Sequence, residues 1–268
     1  MQLTSKDGTR ISVRVLGSGP GLVLLHGAME TGADRMQLAQ RLSGSFTCYV
    51  PDRRGRGASG PAGDRYGLER EVEDLSALMD ASGATRVLGV SSGAIITLRT
   101  ALVRPDLSDA IIFEPPFYAD TSATDRLRRV VAGGDLTGAL VMGMKYAKLG
   151  PPGMASLPEW VLRPLTAAMS RKQPQFRALA PTLVQDFTLV TETAADLSPY
   201  ERVTSRVLLL GGGRSAAYLK RGLTELEAIL PDARRVELAG VGHEATGPAE
   251  LGGKPEKVAE TVHAFLDI

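Results

Sequence analysis

Apolar and polar positions along the chain follow two rhythms that take turns. Gln2 to Ser5 and Arg10 to Leu16 alternate apolar and polar residues around Asp7-Gly8, the pattern of a β-hairpin. Leu22–Leu25 is wholly apolar, as a strand buried on both faces must be. Further short strands are predicted at Phe46–Val50, Arg86–Val90, Asp109–Phe113, Arg206–Leu210 and Arg235–Ala239. Helical spacing fills the gaps, at Ala33–Leu42, Gly67–Ala81, Ala94–Val103, Ala216–Leu230 and Pro255–Leu266. The second of these is the clearest, because Leu68, Val72, Leu75, Leu78 and Met79 recur at three and four residues and make one apolar stripe. From Phe117 to about Tyr200 the strand rhythm stops. Helical periodicity there is broken by prolines at 151, 152, 158, 164, 174 and 181, which predicts an insertion of several short helices.

Strands alternating with helices imply an α/β fold, with a mostly parallel eight-stranded sheet and helices on both faces. The expected organisation is core (1–116), helical insertion (117–200) and core again (201–268). In such sheets function collects at the carboxyl ends of the strands. Loops 26–29, 51–59, 91–93, 114–116, 211–215 and 240–244 lie at that one edge, and all are rich in Gly, Pro or polar residues.

Composition narrows the chemistry. The 268 residues are 43% hydrophobic and 23% charged, and the net charge is +1. That balance argues against nucleic acid or an anionic membrane as an obligatory partner and leaves a small-molecule substrate. Oligomeric state is not legible. Cys48, the single cysteine, rules out an intrachain disulfide or a thiolate-rich metal site, and its apolar neighbours make it a core residue. No metal or cofactor is expected. The N-terminus has no apolar signal core, and no apolar run approaches membrane-spanning length, so a cytoplasmic setting is expected. The only histidines are His26, His243 and His263.

One stretch organises these loops. Gly89-Val90-Ser91-Ser92-Gly93 sits between a predicted strand and a predicted helix. In a Gly-x-Ser-x-Gly turn the serine projects at the top of a sheet, and the glycines are needed where a Cβ would strike the adjoining strand and helix. A helix start aimed at the same spot favours developing negative charge. Ser91 needs a base to become a nucleophile. His243, directly after the last strand, can reach across the sheet edge to it. His26-Gly27 suits a different role. The N–H groups of Ala28 and Ser92 form an oxyanion hole, and His26 and Gly27 support that loop through hydrogen bonds. His263, beside Val262 and Phe265, reads as a packing or surface residue.

With His26-Gly27, Asp52-Arg53-Arg54-Gly55-Arg56-Gly57-Ala58-Ser59, Gly89-Val90-Ser91-Ser92-Gly93 and Gly242-His243 each after its own strand, the chain resembles the α/β-hydrolase superfamily across most of its length. The resemblance implies the order nucleophile, acid, histidine, and a cap domain at 117–200. It also implies that the arginines of 52–59 hold a structural turn. One departure stands out. The acid usually follows the seventh strand, but Leu208-Leu209-Leu210 runs into Gly211-Gly212-Gly213-Arg214-Ser215 with no carboxylate. Some members, similar to certain haloalkane dehalogenases, carry the acid one strand earlier, where Glu114 stands here. Glu114 would then hold the tautomer of His243. The alternatives are that Glu114 only caps or pairs near the insertion, with water or Ser215 in place of an acid, or that Asp186 or Asp196 serves.

The expected reaction is a two-step acyl transfer on a small-to-medium apolar ester or lactone, since a serine in this turn argues against chemistry that needs a carboxylate nucleophile. Met142, Met144, Met154, Trp160, Met169, Phe176 and Phe187 read mostly as core of the insertion, some of them lining an apolar pocket. Two other readings stay open. The same groups can run C–C bond hydrolysis, perhydrolysis or a cofactor-free rearrangement, or the fold can bind a ligand with a vestigial triad.

Overall fold

Period-two alternation within the central strands builds the molecule, because each strand feeds two cores at once. In the computed structural model, which describes residues 1–117, 122, 124–147, 153–193 and 196–267, the strands are β1 (Gln2–Thr4), β2 (Arg10–Leu16), β3 (Gly21–Leu25), β4 (Thr47–Pro51), β5 (Arg86–Val90), β6 (Asp109–Phe113), β7 (Arg206–Gly212) and β8 (Ala233–Leu238). They form one sheet in the order β1-β2-β4-β3-β5-β6-β7-β8. The β1–β2 and β2–β4 pairs are antiparallel, and all later pairs are parallel.

The helices of the core are α1 (Met36–Leu42), α2 (Leu68–Ser82) and α3 (Ser92–Val103) before the insertion. The inserted helices are α4 (Thr124–Ala132), α5 (Leu136–Tyr146), α6 (Glu159–Lys172), α7 (Pro174–Leu179) and α8 (Leu183–Thr193). The core resumes with α9 (Ala217–Ile229) and closes with α10 (Pro255–Leu266). Val23, Val87, Ile112 and Leu209 face a core shared with α2, α3 and α9. Leu24, Leu88, Phe113 and Leu210 face the opposite core, shared with α1 and α10. The helix expected at Ala33–Leu42 begins as a 3-10 turn at Gly32–Arg35 before turning α-helical. Cys48 is buried in the second of these cores, and desolvation pushes its thiol up to about 12. Among the described residues no helix is long and apolar enough to cross a membrane.

The inserted helices lie between β6 and β7, and they have an apolar cluster of their own around Leu127, Leu140, Met142, Leu183 and Phe187. The last of them also reaches down: Leu189 and Val190 belong to the main core, as do Phe117 and Tyr200 at the two ends of the insertion. Two residues expected inside the insertion's core are not there. Trp160 is 76% exposed and Met169 42% exposed. Both lie on α6, whose inward side is carried by Leu162, Thr166 and Ser170. The predicted breaks at positions 151 and 152 lie outside the described residues.

Candidate active site

Ser91 sits at φ 54° and ψ −119°, between β5 and α3, in a region that side chains with a Cβ rarely occupy. Its N–H donates to the carbonyl of Phe113 (2.8 Å), and its own carbonyl accepts from Ala94 N–H (2.9 Å), which pins the turn to β6 and to the new helix. The flanking glycines are steric necessities. A Cβ on Gly89 would stand 2.5 Å from the Gly93 carbonyl oxygen and 2.8 Å from Ala94 Cα. One on Gly93 would stand 2.6 Å from His26 O and 2.7 Å from Leu25 O. Met29 (φ 58°) and Glu114 (φ 47°) also have positive φ, as does Asp267 (φ 56°) at the end of α10. Of these four non-glycine residues, Ser91, Met29 and Glu114 stand at the carboxyl edge of the sheet, where strain is a reason to look for function.

Glu114 reaches the position the acid needs. Its side chain is fully buried, and Oε2 lies 2.6 Å from Nδ1 of His243. Its other oxygen, Oε1, accepts from Gly212 N–H at 2.6 Å. The end of β7 makes this possible by being bare: a Cβ on Gly211 would sit 3.1 Å from Glu114 Oε1. Phe113 packs beside the imidazole, with ring centroids 6.1 Å apart. Asp186 and Asp196 are elsewhere. Asp186 binds arginines, and Asp196 caps Ser198 at the surface. Ser215 does not take the acid's place beside His243, and its buried hydroxyl has no partner among the described residues.

Ser91, Ser92, His243, Gly27 and Ala28 line one cavity of about 400 Å³. Of the six strand-end loops, 26–29, 91–93, 114–116 and 240–244 reach it, while 51–59 and 211–215 stand behind. The N–H groups of Ala28 and Ser92 have no hydrogen-bond partner among the described residues, and Ser92 is the first residue of α3. Both donors are thus available to an oxygen in the cavity, with the positive end of a helix behind one of them.

His26 is a support. It is fully buried, with Nδ1 donating to Gly27 O (2.9 Å) and Nε2 accepting from Arg53 N–H (3.1 Å). Burial, together with the charges of Arg56 and Arg53, holds its imidazole well below the usual histidine range, so it stays neutral. His263 stacks on Phe46 at 5.7 Å and does not line the cavity.

Several supporting residues were not singled out by the sequence. Arg35 is completely buried and links two loops of the site: it binds Glu30 at 2.5 Å and also Thr246, which follows His243. Glu30 in turn accepts from Gly27 N–H at 2.8 Å. Tyr218 of α9 lines the cavity and donates to Ala147 O of the insertion at 2.9 Å. Arg53, expected only as part of a turn, contacts Gly27, Ser92, Glu71 and Asp186. Glu71 and Asp74, acids placed next to the apolar stripe of α2, were the one legible hint that buried cations face that helix.

Known proteins resemble the chain over nearly its whole length. Residues 22–261 match the sequence model of the alpha/beta hydrolase family. A 2-(acetamidomethylene)succinate hydrolase of Mesorhizobium japonicum is 29% identical, over 96% of this chain and 91% of its own. A pimeloyl-[acyl-carrier protein] methyl ester esterase of Xanthomonas oryzae pv. oryzae is 26% identical, over 95% of this chain and 98% of its own. Among solved structures, an alpha/beta hydrolase from Sphaerobacter thermophilus superposes with a TM-score of 0.78 at 32% identity, covering 94% of this chain and 99% of that one.

Proposed function

The chain belongs to the alpha/beta hydrolase family, and from that premise we propose that it cleaves a small-to-medium, uncharged carboxylic ester or lactone through an acyl-enzyme on Ser91. The observation that carries this reading is the 2.6 Å contact between Glu114 and His243 Nδ1, with Ser91 in the same cavity. Nδ1–H donating to the carboxylate leaves Nε2 as the base. In the first step Nε2 takes the Ser91 proton as Oγ attacks the acyl carbon, and the oxyanion settles on Ala28 and Ser92 N–H. Nε2 then hands the proton to the leaving oxygen. Water, deprotonated by the same nitrogen, releases the acid and restores the serine. The inserted helices act as a cap, since Phe176, Asp186, Phe187 and Val190 roof the cavity.

The lining supports an uncharged substrate. Met29, Val90, Phe176, Phe187, Val190 and Leu251 make it largely apolar. Apart from His243, its charged groups are Glu30, Asp34, Asp186 and Glu244, with no lysine or arginine among the described lining residues. Glu30 and Asp186 are neutralised by buried arginines. Asp34 has no cation partner among the described residues, and Glu244 has only the exposed Arg214 at 3.5 Å. A substrate carboxylate held near that pair is repelled by about 1–2 kcal/mol at the effective dielectric of a protein surface. A succinate, such as the Mesorhizobium relative's name carries, is a dicarboxylate, and the described lining residues offer it no lysine or arginine. Accordingly, kcat/KM for p-nitrophenyl butyrate should exceed that for the similarly sized p-nitrophenyl hemisuccinate about tenfold or more. Equal or reversed preference would remove the charge argument, and no turnover at any chain length would remove the ester reading.

A further inference from the structure

Between the serine turn and the inserted helices lies a buried cluster that the acyl-transfer chemistry does not use. Asp186, on α8, is 3% exposed and lies at the cavity wall. Its Oδ1 accepts from Ser92 Oγ at 2.9 Å and from Arg53 Nη1 at 3.1 Å. Its Oδ2 accepts from Arg56 Nη2 at 2.7 Å. Arg53 Nη1 donates as well to Ser92 Oγ (2.9 Å) and, at longer range, to Gly27 O (3.4 Å). The far side of the same guanidinium is fixed by Glu71, at 2.7 Å from Nη2, and the backbone N–H of Arg53 holds the ring of His26.

The two N–H groups assigned to the oxyanion belong to Ser92 and to Ala28, the residue after Gly27. One guanidinium therefore touches both segments that carry these donors, and a carboxylate from the inserted helices closes the cluster. We propose that Asp186 is a positioning residue: through Ser92 Oγ and Arg53 it couples the seating of the cap to the geometry of the oxyanion hole. The proposal rests on the serine-hydrolase reading and extends it. With the cap seated, the Ser92 hydroxyl is held between an anion and a cation, and its N–H is aimed. Without the Asp186 carboxylate, Arg53 keeps Glu71 but loses the anion on the side of Ser92 and Gly27, and both donors lose part of their setting. Pre-aimed donors are what an oxyanion needs, so the expected loss is in rate and not in binding.

The test is the second-order rate constant with which a fluorophosphonate labels Ser91, measured beside kcat and KM for p-nitrophenyl butyrate and the thermal midpoint of each variant. Ser92→Ala keeps the backbone N–H and removes only the hydroxyl. Asp186→Asn keeps the shape and removes the charge. Each should slow labelling about tenfold or more and lower kcat in proportion, with KM within about twofold, as the loss of an oxyanion contact does. The double variant should be no slower than the slower single variant, because both break one linkage. Folded variants that label at the wild-type rate would overturn the proposal, as would fully additive losses. A merely structural cluster would lower the thermal midpoint and leave the labelling rate of the folded protein unchanged. Should Asp186→Asn fail to fold, the labelling rate of Ser92→Ala alone decides. Failure of the wild type to label would instead overturn the serine-hydrolase reading itself.

Discussion

Replacing Glu114 by glutamine lowers kcat for ester hydrolysis by about 10²–10⁴-fold while the fold survives, the range expected when an orienting carboxylate becomes an amide. Both carboxylate oxygens are acceptors, one from Gly212 N–H and one from His243 Nδ1. Glutamine has a single carbonyl oxygen, so its NH₂ group must face one of these donors. If the amide keeps the backbone contact, its NH₂ points at Nδ1 and selects the tautomer that places the proton on Nε2. The base is then blocked at the atom that faces the serine. If it keeps the imidazole, a buried NH₂ meets a buried N–H, at a cost of about 1–3 kcal/mol in stability. Steady-state kinetics beside a thermal melt separate the two outcomes. Full activity in a folded Glu114→Gln protein would exclude Glu114 as the acid.

Gly93→Ala is the second large effect. Alanine is the better helix former by about 1 kcal/mol, so propensity alone predicts a gain for a position inside α3. Sterics oppose it and win. The new methyl group would lie 2.6 Å from His26 O and 2.7 Å from Leu25 O, where ordinary contacts run 3.4–4 Å. Both obstacles are backbone, so relief requires β3 and α3 to part, at a cost of roughly 1–3 kcal/mol or more. For a chain of this size the thermal midpoint should fall by about 3–10 °C. The same displacement separates Ser92 from the loop bearing Ala28, so ester turnover should fall by about 10²-fold or more, the scale of one lost oxyanion donor. Gly44→Ala, which meets nothing within 4 Å, is the control and should change neither property. A Gly93→Ala enzyme with wild-type stability and rate would contradict the close packing of this turn.

The sheet was legible because its strands are short, apolar and evenly interrupted. Alternation such as Leu24 and Leu88 to one core, Val23 and Val87 to the other, is a period that sequence displays directly. Ser91, His243 and the His26-Gly27 loop were legible for a related reason: each follows its own strand, and few histidines compete. The contact of Glu114 with His243 was only half legible. What lets the carboxylate reach the imidazole from β6 is a bare Gly211 and the N–H of Gly212, features of a strand 98 residues away. Arg53 shows the same limit. Its loop was identified as a turn, but its buried ion pair is made with Asp186, 133 residues distant. Trp160 and Met169 mark a third limit, since the inward side of α6 is carried by Leu162, Thr166 and Ser170, two of them polar, while large apolar residues face out.

The central claim is that Ser91 is a nucleophile activated by His243, and covalent trapping tests it most directly. Incubation with a fluorophosphonate, followed by intact-protein mass spectrometry and peptide mapping, should show one adduct, on the peptide that contains Ser91. The adduct should be absent from Ser91→Ala and formed far more slowly by His243→Ala. An adduct that survives Ser91→Ala, or a folded wild-type protein that forms none, would contradict the account.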